Sequence, residues 1–321
     1  METRHIALAA FSFVALGAAP ALAQDDAAPN EMQSRACDVP FGKGDEIGAA
    51  QRLTPQMAKD AAALVTEGKS YPLGIELNSG TPAYGTRTFR ITVLPGQTGG
   101  ATLGPTKMVS NDDVIMGFAG IGSQLDGLGH IGIDNMYYGC HPGSEIVDAA
   151  GLKQLGVENV PNIVTRGVVL DMTADGGAAL EPGTAFNREE IQAQAEEQGI
   201  EIREGDVVLF HTGWLDEAGS ERDRFLKGQP GLGVDGADWL AEQGVVAIGA
   251  DNWGLEVVPF EEGTGVFEVH QTLLAENGIY ILENMNTGPL VQDGVSEFMF
   301  VLGHPKVTGA VQATINPTAI R

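Results

Sequence analysis

Residues 122–130, Gly-Ser-Gln-Leu-Asp-Gly-Leu-Gly-His, place three polar side chains among glycines. In a strand, Gln124 and Asp126 point to the same face because they are two residues apart. The glycines after Asp126 allow a tight turn that brings His130 toward the same point. An amide, a carboxylate and an imidazole in this pattern predict a metal or proton-transfer site. These residues alone leave open a structural alternative, a polar turn in which Asp126 caps a helix.

Ionisable residues follow apolar runs further along the chain. Glu283 directly follows such a run, and so do His211 and Asp251. A charged group at the end of a buried strand is costly unless it is paired or binds an ion. Strands that end in such residues are typical of an open sheet whose ligand crevice lies beyond the strand ends. His270 lies in a short helix that we predict over residues 269–278.

The elements that must position these residues alternate between strands and helices. Asn187 and Glu190 form a capping box before a helix over 191–198, and Asp235 is expected to cap a helix over 236–243. The mixture predicts an α/β domain. The remaining predicted elements are a helix over 51–67 and strands over 88–93, 113–118, 167–171, 206–211, 245–250, 279–282 and 298–302.

Charge and length limit the classes of partner. The 321 residues include 43 acidic and 18 basic side chains, for a net charge of −25. This charge repels nucleic acid and anionic membrane surfaces, so we expect neither as a partner. No charge run or Ser/Pro-rich linker divides the chain, which favours one large domain. The sequence is compatible with a homo-oligomer.

The N-terminus is predicted to be an export signal. A thin basic region, an apolar stretch too short to span a bilayer and the sequence Ala21-Leu-Ala23 are typical of a signal peptide over residues 1–23. Polar residues 24–36 are expected to form a flexible lead-in to a domain over 37–321. We therefore expect a periplasmic or secreted protein that is free of the membrane once the leader is removed.

Two cysteines, Cys37 and Cys140, are present. In an oxidising compartment they could pair, and closing so long a loop would stabilise the fold. The sequence cannot show whether they are close, so two separate thiols remain the alternative. Neither residue has the surroundings of a catalytic nucleophile.

Five segments, in order along the chain, resemble the cyclase family of metal-dependent hydrolases, which includes bacterial kynurenine formamidase and isatin hydrolase. The resemblance covers nearly all of the predicted mature chain and implies a swivelling β/β/α single domain. The segments are Ser123-Gln124-Leu125-Asp126 with His130, Thr212-Gly213-Trp214, Ala247-Ile-Gly-Ala-Asp251, His270, and Leu282-Glu283-Asn284.

The family signature, His-x-Gly-Thr-His-x-Asp-x-Pro-x-His, is only partly present. Asp126 and His130 match its aspartate and last histidine, whereas the first and second histidines fall on Gly120 and Gln124. Two metal-binding imidazoles are therefore missing. The resemblance further implies that the residues at 270 and 283 match downstream metal ligands and that His130 matches the histidine that transfers protons.

The missing imidazoles favour one metal ion over two. Glycine offers no ligand, and the side-chain oxygen of Gln124 is a weak, neutral donor. The remaining set, Gln124, Asp126, His270 and Glu283, could hold one ion with an open position for water. Its oxygen-rich chemistry suits manganese or zinc better than copper, and the spacing does not distinguish the two.

Other residues near the predicted site have two interpretations. His211 is a second catalytic candidate, but a histidine at a strand end also serves as a structural hydrogen-bonding residue. Trp214 and Trp253 could form an aromatic wall for a flat substrate or belong to the core. Tyr137 and Tyr138 have the same two interpretations.

We therefore expect an exported metal-dependent amidohydrolase, arylformamidase-like, that cleaves an amide, formamide or lactam carbon–nitrogen bond of a small molecule, with His130 as proton carrier. Two alternatives remain open. A lactonase or esterase would use the same site, and a catalytically weak relative would only bind a small molecule or metal. Metal analysis and a hydrolysis screen separate these hypotheses.

Overall fold

The structure of the protein is a computed structural model that describes residues 28–96, 102–173, 177–220 and 222–321. The predicted signal peptide, residues 1–23, and residues 24–27 of the predicted lead-in lie outside the described residues. Within those ranges, no helix has the length and apolar character needed to cross a membrane.

The described residues form fifteen strands, numbered here along the chain. Most are short, and β7 is the longest. Their bounds are β1 Ser70–Pro72, β2 Phe89–Pro95, β3 Asn111–Gly117, β4 Gln124–Asp126, β5 Met136–Tyr137, β6 His141–Pro142, β7 Ile163–Asp171, β8 Ala185–Phe186, β9 Val207–His211, β10 Gly231–Leu232, β11 Ala247–Ala250, β12 Tyr280–Glu283, β13 Glu297–Leu302, β14 Gln312–Thr314 and β15 Thr318–Ile320.

A nine-stranded mixed sheet forms the centre of the fold, in the order β1-β15-β13-β7-β9-β11-β12-β4-β14. Its four middle strands, β7, β9, β11 and β12, run parallel. They are rich in Val, Ile, Leu and Ala and are almost fully buried, as expected for strands covered on both faces. Because parallel strands have their carboxyl ends at one edge, His211, Asp251 and Glu283 all lie toward that edge.

Short helices pack around the sheet. α2 and α4 both contact β7, and α7 packs against α4. The helices are α1 Glu31–Ser34, α2 Pro55–Ala62, α3 Gly143–Ile146, α4 Arg188–Gln198, α5 Glu217–Ser220, α6 Arg222–Lys227, α7 Val234–Glu242, α8 Glu268–His270 and α9 Gly288–Gln292, and a π-helix over Gln271–Glu276 continues α8.

The predicted helices agree with the structure with two differences. The helix predicted over 51–67 is shorter, because α2 begins at Pro55 after the capping residue Thr54. Asp235 does not cap α7. Instead, Glu261 Oε2 accepts the N–H of Val234 at 3.0 Å and Asn187 Oδ1 accepts the N–H of Gly236 at 3.0 Å. Both capping groups come from outside the helix, so local sequence could not identify them.

Residues 28–36, the end of the predicted flexible lead-in, fold onto the domain. Residues 31–34 form α1, Asn30 Nδ2 donates to Asp134 at 2.7 Å, and Ala36 is fully buried. Cys37 and Cys140 form a disulfide across a sequence separation of 103 residues. The end of the predicted lead-in is therefore packed against the domain.

Two of the predicted strands lie outside the central sheet. β2 and β3, predicted at 88–93 and 113–118, pair with each other as an antiparallel hairpin. Nearly every residue of both strands is exposed, so their apolar side chains are not part of the core.

Candidate metal centre

The strand register places the acidic and amide side chains on one face of the sheet. β4 lies between β12 and β14, with Gln124 opposite Glu283 and Asp126 opposite Gln312. Directly opposed residues of antiparallel strands project to the same face, and so do residues two apart on one strand. Gln124, Asp126, Glu283 and Gln312 therefore share a face, and Asp126 and Glu283 are almost fully buried there.

A helix supplies the imidazole. His270 ends α8 where the π-helix begins, and it is 3 % exposed. Its Nδ1 lies 2.6 Å from Glu256 Oε1, and the other oxygen of Glu256 accepts the N–H of Val269 at 3.1 Å. A carboxylate that accepts from Nδ1 holds the neutral ring in the tautomer whose lone pair lies on Nε2.

That lone pair faces two carboxylates. His270 Nε2 lies 3.8 Å from Asp126 Oδ2 and 3.5 Å from Glu283 Oε1, and one donor atom of each residue falls within 4.8 Å of the others. Asp126 Oδ2 is buried without a hydrogen-bond partner among the described residues. A buried carboxylate oxygen without a partner is costly. The imidazole of His270 and the carboxylates of Asp126 and Glu283 form a set of donors that fits a divalent cation.

The charge balance agrees with a cation. Asp126, Glu256 and Glu283 are all buried around the imidazole of His270. Burial alone would lower the pKa of His270, but its contacts with Glu256 and Glu283 raise it to about 10. Burial and the Asp126 charge raise the pKa of Glu283 to about 8. Both pKa values are raised because the site contains an excess of buried negative charge, which a cation would offset.

Gln124, predicted as a fourth ligand, lies beside the cluster and lines the same pocket. Its Nε2 donates to Asp126 Oδ1 at 3.0 Å. The structure therefore places this amide next to the predicted ligand set, with its nitrogen committed to Asp126.

His130, the predicted proton carrier, lies at the same centre. Its Nε2 is 3.8 Å from Asp126 Oδ2, and the side chain is 19 % exposed, at the wall of the pocket. Burial lowers the pKa of His130 below its ordinary value, although Asp126 opposes this effect. A neutral imidazole at neutral pH can accept a proton.

His211, the second catalytic candidate, is not among the residues that line this pocket. Its Nδ1 lies 2.8 Å from Thr287 Oγ1 and 3.1 Å from Asp251 Oδ2. Asp251 also accepts from the backbone of Thr212 and Gly213. The ring thus joins the ends of β9 and β11, and β11 and β12 separate its own strand, β9, from β4.

Aromatic side chains line the pocket above the cluster. The Trp253 ring stacks on Tyr84 with centroids 5.0 Å apart, and the Phe267 ring meets the His270 ring edge to face at 5.1 Å. The cavity encloses about 190 Å³, and Arg87 also lines it. This volume suits a small, flat molecule, since it equals that of roughly six waters.

The other predicted aromatic residues do not line the pocket. Trp214 is fully buried against Phe225. Tyr138 is buried and donates to Asp45 at 2.8 Å, and Tyr137 packs against the core. Of the residues considered for an aromatic wall, the structure places only Trp253 in this cavity.

The sequence reasoning missed Glu256, Gln312, Arg87, Tyr84 and Phe267. Glu256 carried a usable signal, because an acid between the apolar residues 255 and 257 predicts a buried charge with a partner. The sequence around Gln312 contains no such signal, since a glutamine in a short strand is common on solvent-exposed faces and does not indicate a site.

Comparisons with known proteins identify a family model and similar folds. A family model described as putative cyclase matches residues 71–257, more than half of the chain. No curated protein sequence matches. The fold is similar to a crystal structure described as a novel cyclase, with 27 % identity, a TM-score of 0.79, and coverage of 88 % of this chain and 98 % of that one.

Two more distant structures share the fold. Isatin hydrolase A from Ralstonia solanacearum is 18 % identical with a TM-score of 0.62, over 84 % of this chain and 98 % of that one. A predicted metal-dependent hydrolase from Bacillus stearothermophilus is 18 % identical with a TM-score of 0.53, over 78 % and 97 % of the two chains.

Proposed function

Because the chain belongs to the cyclase family and shares its fold with a protein described as a metal-dependent hydrolase, we propose that it hydrolyses an amide, formamide or lactam carbon–nitrogen bond of a small, flat molecule. One observation carries the proposal. The unpartnered, buried Asp126 Oδ2 faces His270 and Glu283 at the base of an aromatic pocket.

We propose one divalent ion per chain, manganese or zinc, held by Asp126, His270 and Glu283 with Gln124 beside them. When bound, such an ion lowers the pKa of a water and polarises a carbonyl. The protein contributes the anionic donors that offset the ion's charge, and their burial strengthens these interactions.

His130 performs the proton transfers in this proposal. Its ring lies next to Asp126 at the pocket wall, so a water nucleophile near that carboxylate is within its reach. The neutral imidazole accepts the water proton as the oxygen attacks the carbonyl carbon. It returns this proton to the leaving nitrogen when the carbon–nitrogen bond breaks.

The pocket walls set the substrate class. Trp253, Tyr84 and Phe267 offer ring faces and edges to a flat molecule. Arg87 adds a cation that suits the carboxylate product of amide or lactam hydrolysis. The relative described as isatin hydrolase supports a cyclic amide fused to an aromatic ring as the first substrate to test.

We also propose export to the periplasm or the medium. The residues at the start of the sequence are typical of a signal peptide, and the Cys37–Cys140 disulfide suits an oxidising compartment.

The test combines metal analysis with a hydrolysis screen of the purified protein. We expect about one equivalent of manganese or zinc, and turnover of aromatic amides and lactams above the matched lactones. Asp126→Ala should lose metal and activity together, whereas Asp60→Ala, an exposed aspartate in α2, should keep both. Faster turnover of lactones would indicate a lactonase, and metal binding without turnover would indicate a binding protein. Full metal occupancy in Asp126→Ala would refute the ligand set.

A further inference from the structure

Gln312 lies against the backbone of Gly120 beside the metal centre. It begins β14 directly opposite Asp126 and is 7 % exposed. A Cβ atom at position 120 would lie 2.3 Å from its Oε1 and 2.4 Å from its Nε2. The amide therefore occupies the space that a side chain at position 120 would need, and any such side chain would displace it from this position.

The side-chain amide of Gln312 hydrogen-bonds to one oxygen of Asp126. Gln312 Nε2 donates to Asp126 Oδ1 at 2.7 Å, and Gln124 Nε2 donates to the same oxygen at 3.0 Å. Two N–H donors satisfy Oδ1, while Oδ2 is buried without a hydrogen-bond partner among the described residues. Of the two oxygens of this carboxylate, Oδ1 is therefore occupied by hydrogen bonds and Oδ2 is available to a cation.

Gln312 also connects this carboxylate to His130. Its Nε2 lies 3.4 Å from His130 Nε2, so its two N–H groups lie between the metal-binding carboxylate and the proton carrier. An amide nitrogen carries no lone pair for a cation. The side of Asp126 that faces Gln312 is therefore closed to a second ion.

We propose that Gln312 is a positioning residue that restricts Asp126 to one coordinating oxygen and so keeps the centre mononuclear. The inference rests on the proposed function, because it requires a cation at Asp126, His270 and Glu283.

Two variants test the inference by cation titration, with Zn²⁺ and Mn²⁺ separately. Gln312→Ala removes the donor, so we expect one ion bound about tenfold more weakly, as for other residues that orient a metal ligand. Gln312→Glu replaces the donor with a second carboxylate next to Oδ1. Like charges at this distance need an offsetting cation, so we expect a second, weaker equivalent at pH 8.5.

Thr314→Val is the matched control, since Thr314 lies on the same strand and face but donates to Ala119. It should bind one ion with unchanged affinity. Unchanged affinity in Gln312→Ala, or a single ion in Gln312→Glu, would overturn the inference, provided that each variant unfolds cooperatively. If the unaltered protein binds no cation, the proposed function itself fails.

Discussion

Glu256 offers the sharpest test of the metal centre, because it does not contact the pocket and acts through His270. Its two carboxylate oxygens accept from His270 Nδ1 at 2.6 Å and from the Val269 N–H at 3.1 Å. Glu256→Gln keeps the shape but leaves one acceptor and one NH₂ group for two donors. In either orientation of the amide, one donor faces another donor.

The expected loss of metal affinity in Glu256→Gln follows from this mismatch of donors. If the NH₂ faces His270, the imidazole moves its proton to Nε2, the atom that faces Asp126 and Glu283, and can no longer bind a cation there. If it faces Val269, a buried N–H loses its partner. A lost hydrogen bond to a charged group costs about 1.5–3 kcal/mol. Loss of a carboxylate behind a ligating histidine weakens metal binding roughly 10- to 100-fold, or about 1.4–2.8 kcal/mol.

The assay is competition for Zn²⁺ or Mn²⁺ against a chromophoric chelator. Glu268→Gln is the matched control. Glu268 lies in α8, the helix of His270, but its carboxylate accepts from the N–H of Gly265 and not from His270. We expect the control to keep the affinity of the unaltered protein. Affinity within twofold of the unaltered protein in a folded Glu256→Gln variant would refute the role of Glu256 in orienting His270.

Three further predictions follow from other parts of the molecule. His130→Ala should keep its metal while kcat falls by roughly two to four orders of magnitude; loss of metal would make His130 a ligand, and retained turnover would make it structural. Replacing Cys37 and Cys140 together by serine should lower the free energy of unfolding by about 3–5 kcal/mol, because the disulfide closes a loop of 103 residues; coincident urea unfolding curves would contradict this. Burial lowers the pKa of His211, but its contact with Asp251 outweighs burial and raises the pKa above 6.5, so the stabilisation is complete below that pH and is lost as pH rises through the folded-state pKa. The excess stability of the unaltered protein over His211→Gln should therefore be larger at pH 6 than at pH 9, and a difference that grows with pH would contradict the pairing.

The sequence alone predicted the longer buried strands and several residues of the candidate site. Local patterns are sufficient where one segment decides the outcome. The period of two places Gln124 and Asp126 on one face, and apolar runs mark the buried strands with Glu283 at the end of one of them. The order of the five motif segments indicated the family that the comparisons then established.

The tertiary structure decided every relation between segments that are distant in the chain. The pairing of β14 with β4 places Gln312 over Gly120, 192 positions earlier in the chain, and a loop carries Glu256 to the back of His270. The disulfide and the separation of His211 from the pocket have the same origin. Side-chain periodicity fixes only which way a residue points within its own element. Strand register and the paths of the loops fix which side chains meet, and these depend on how the whole core packs.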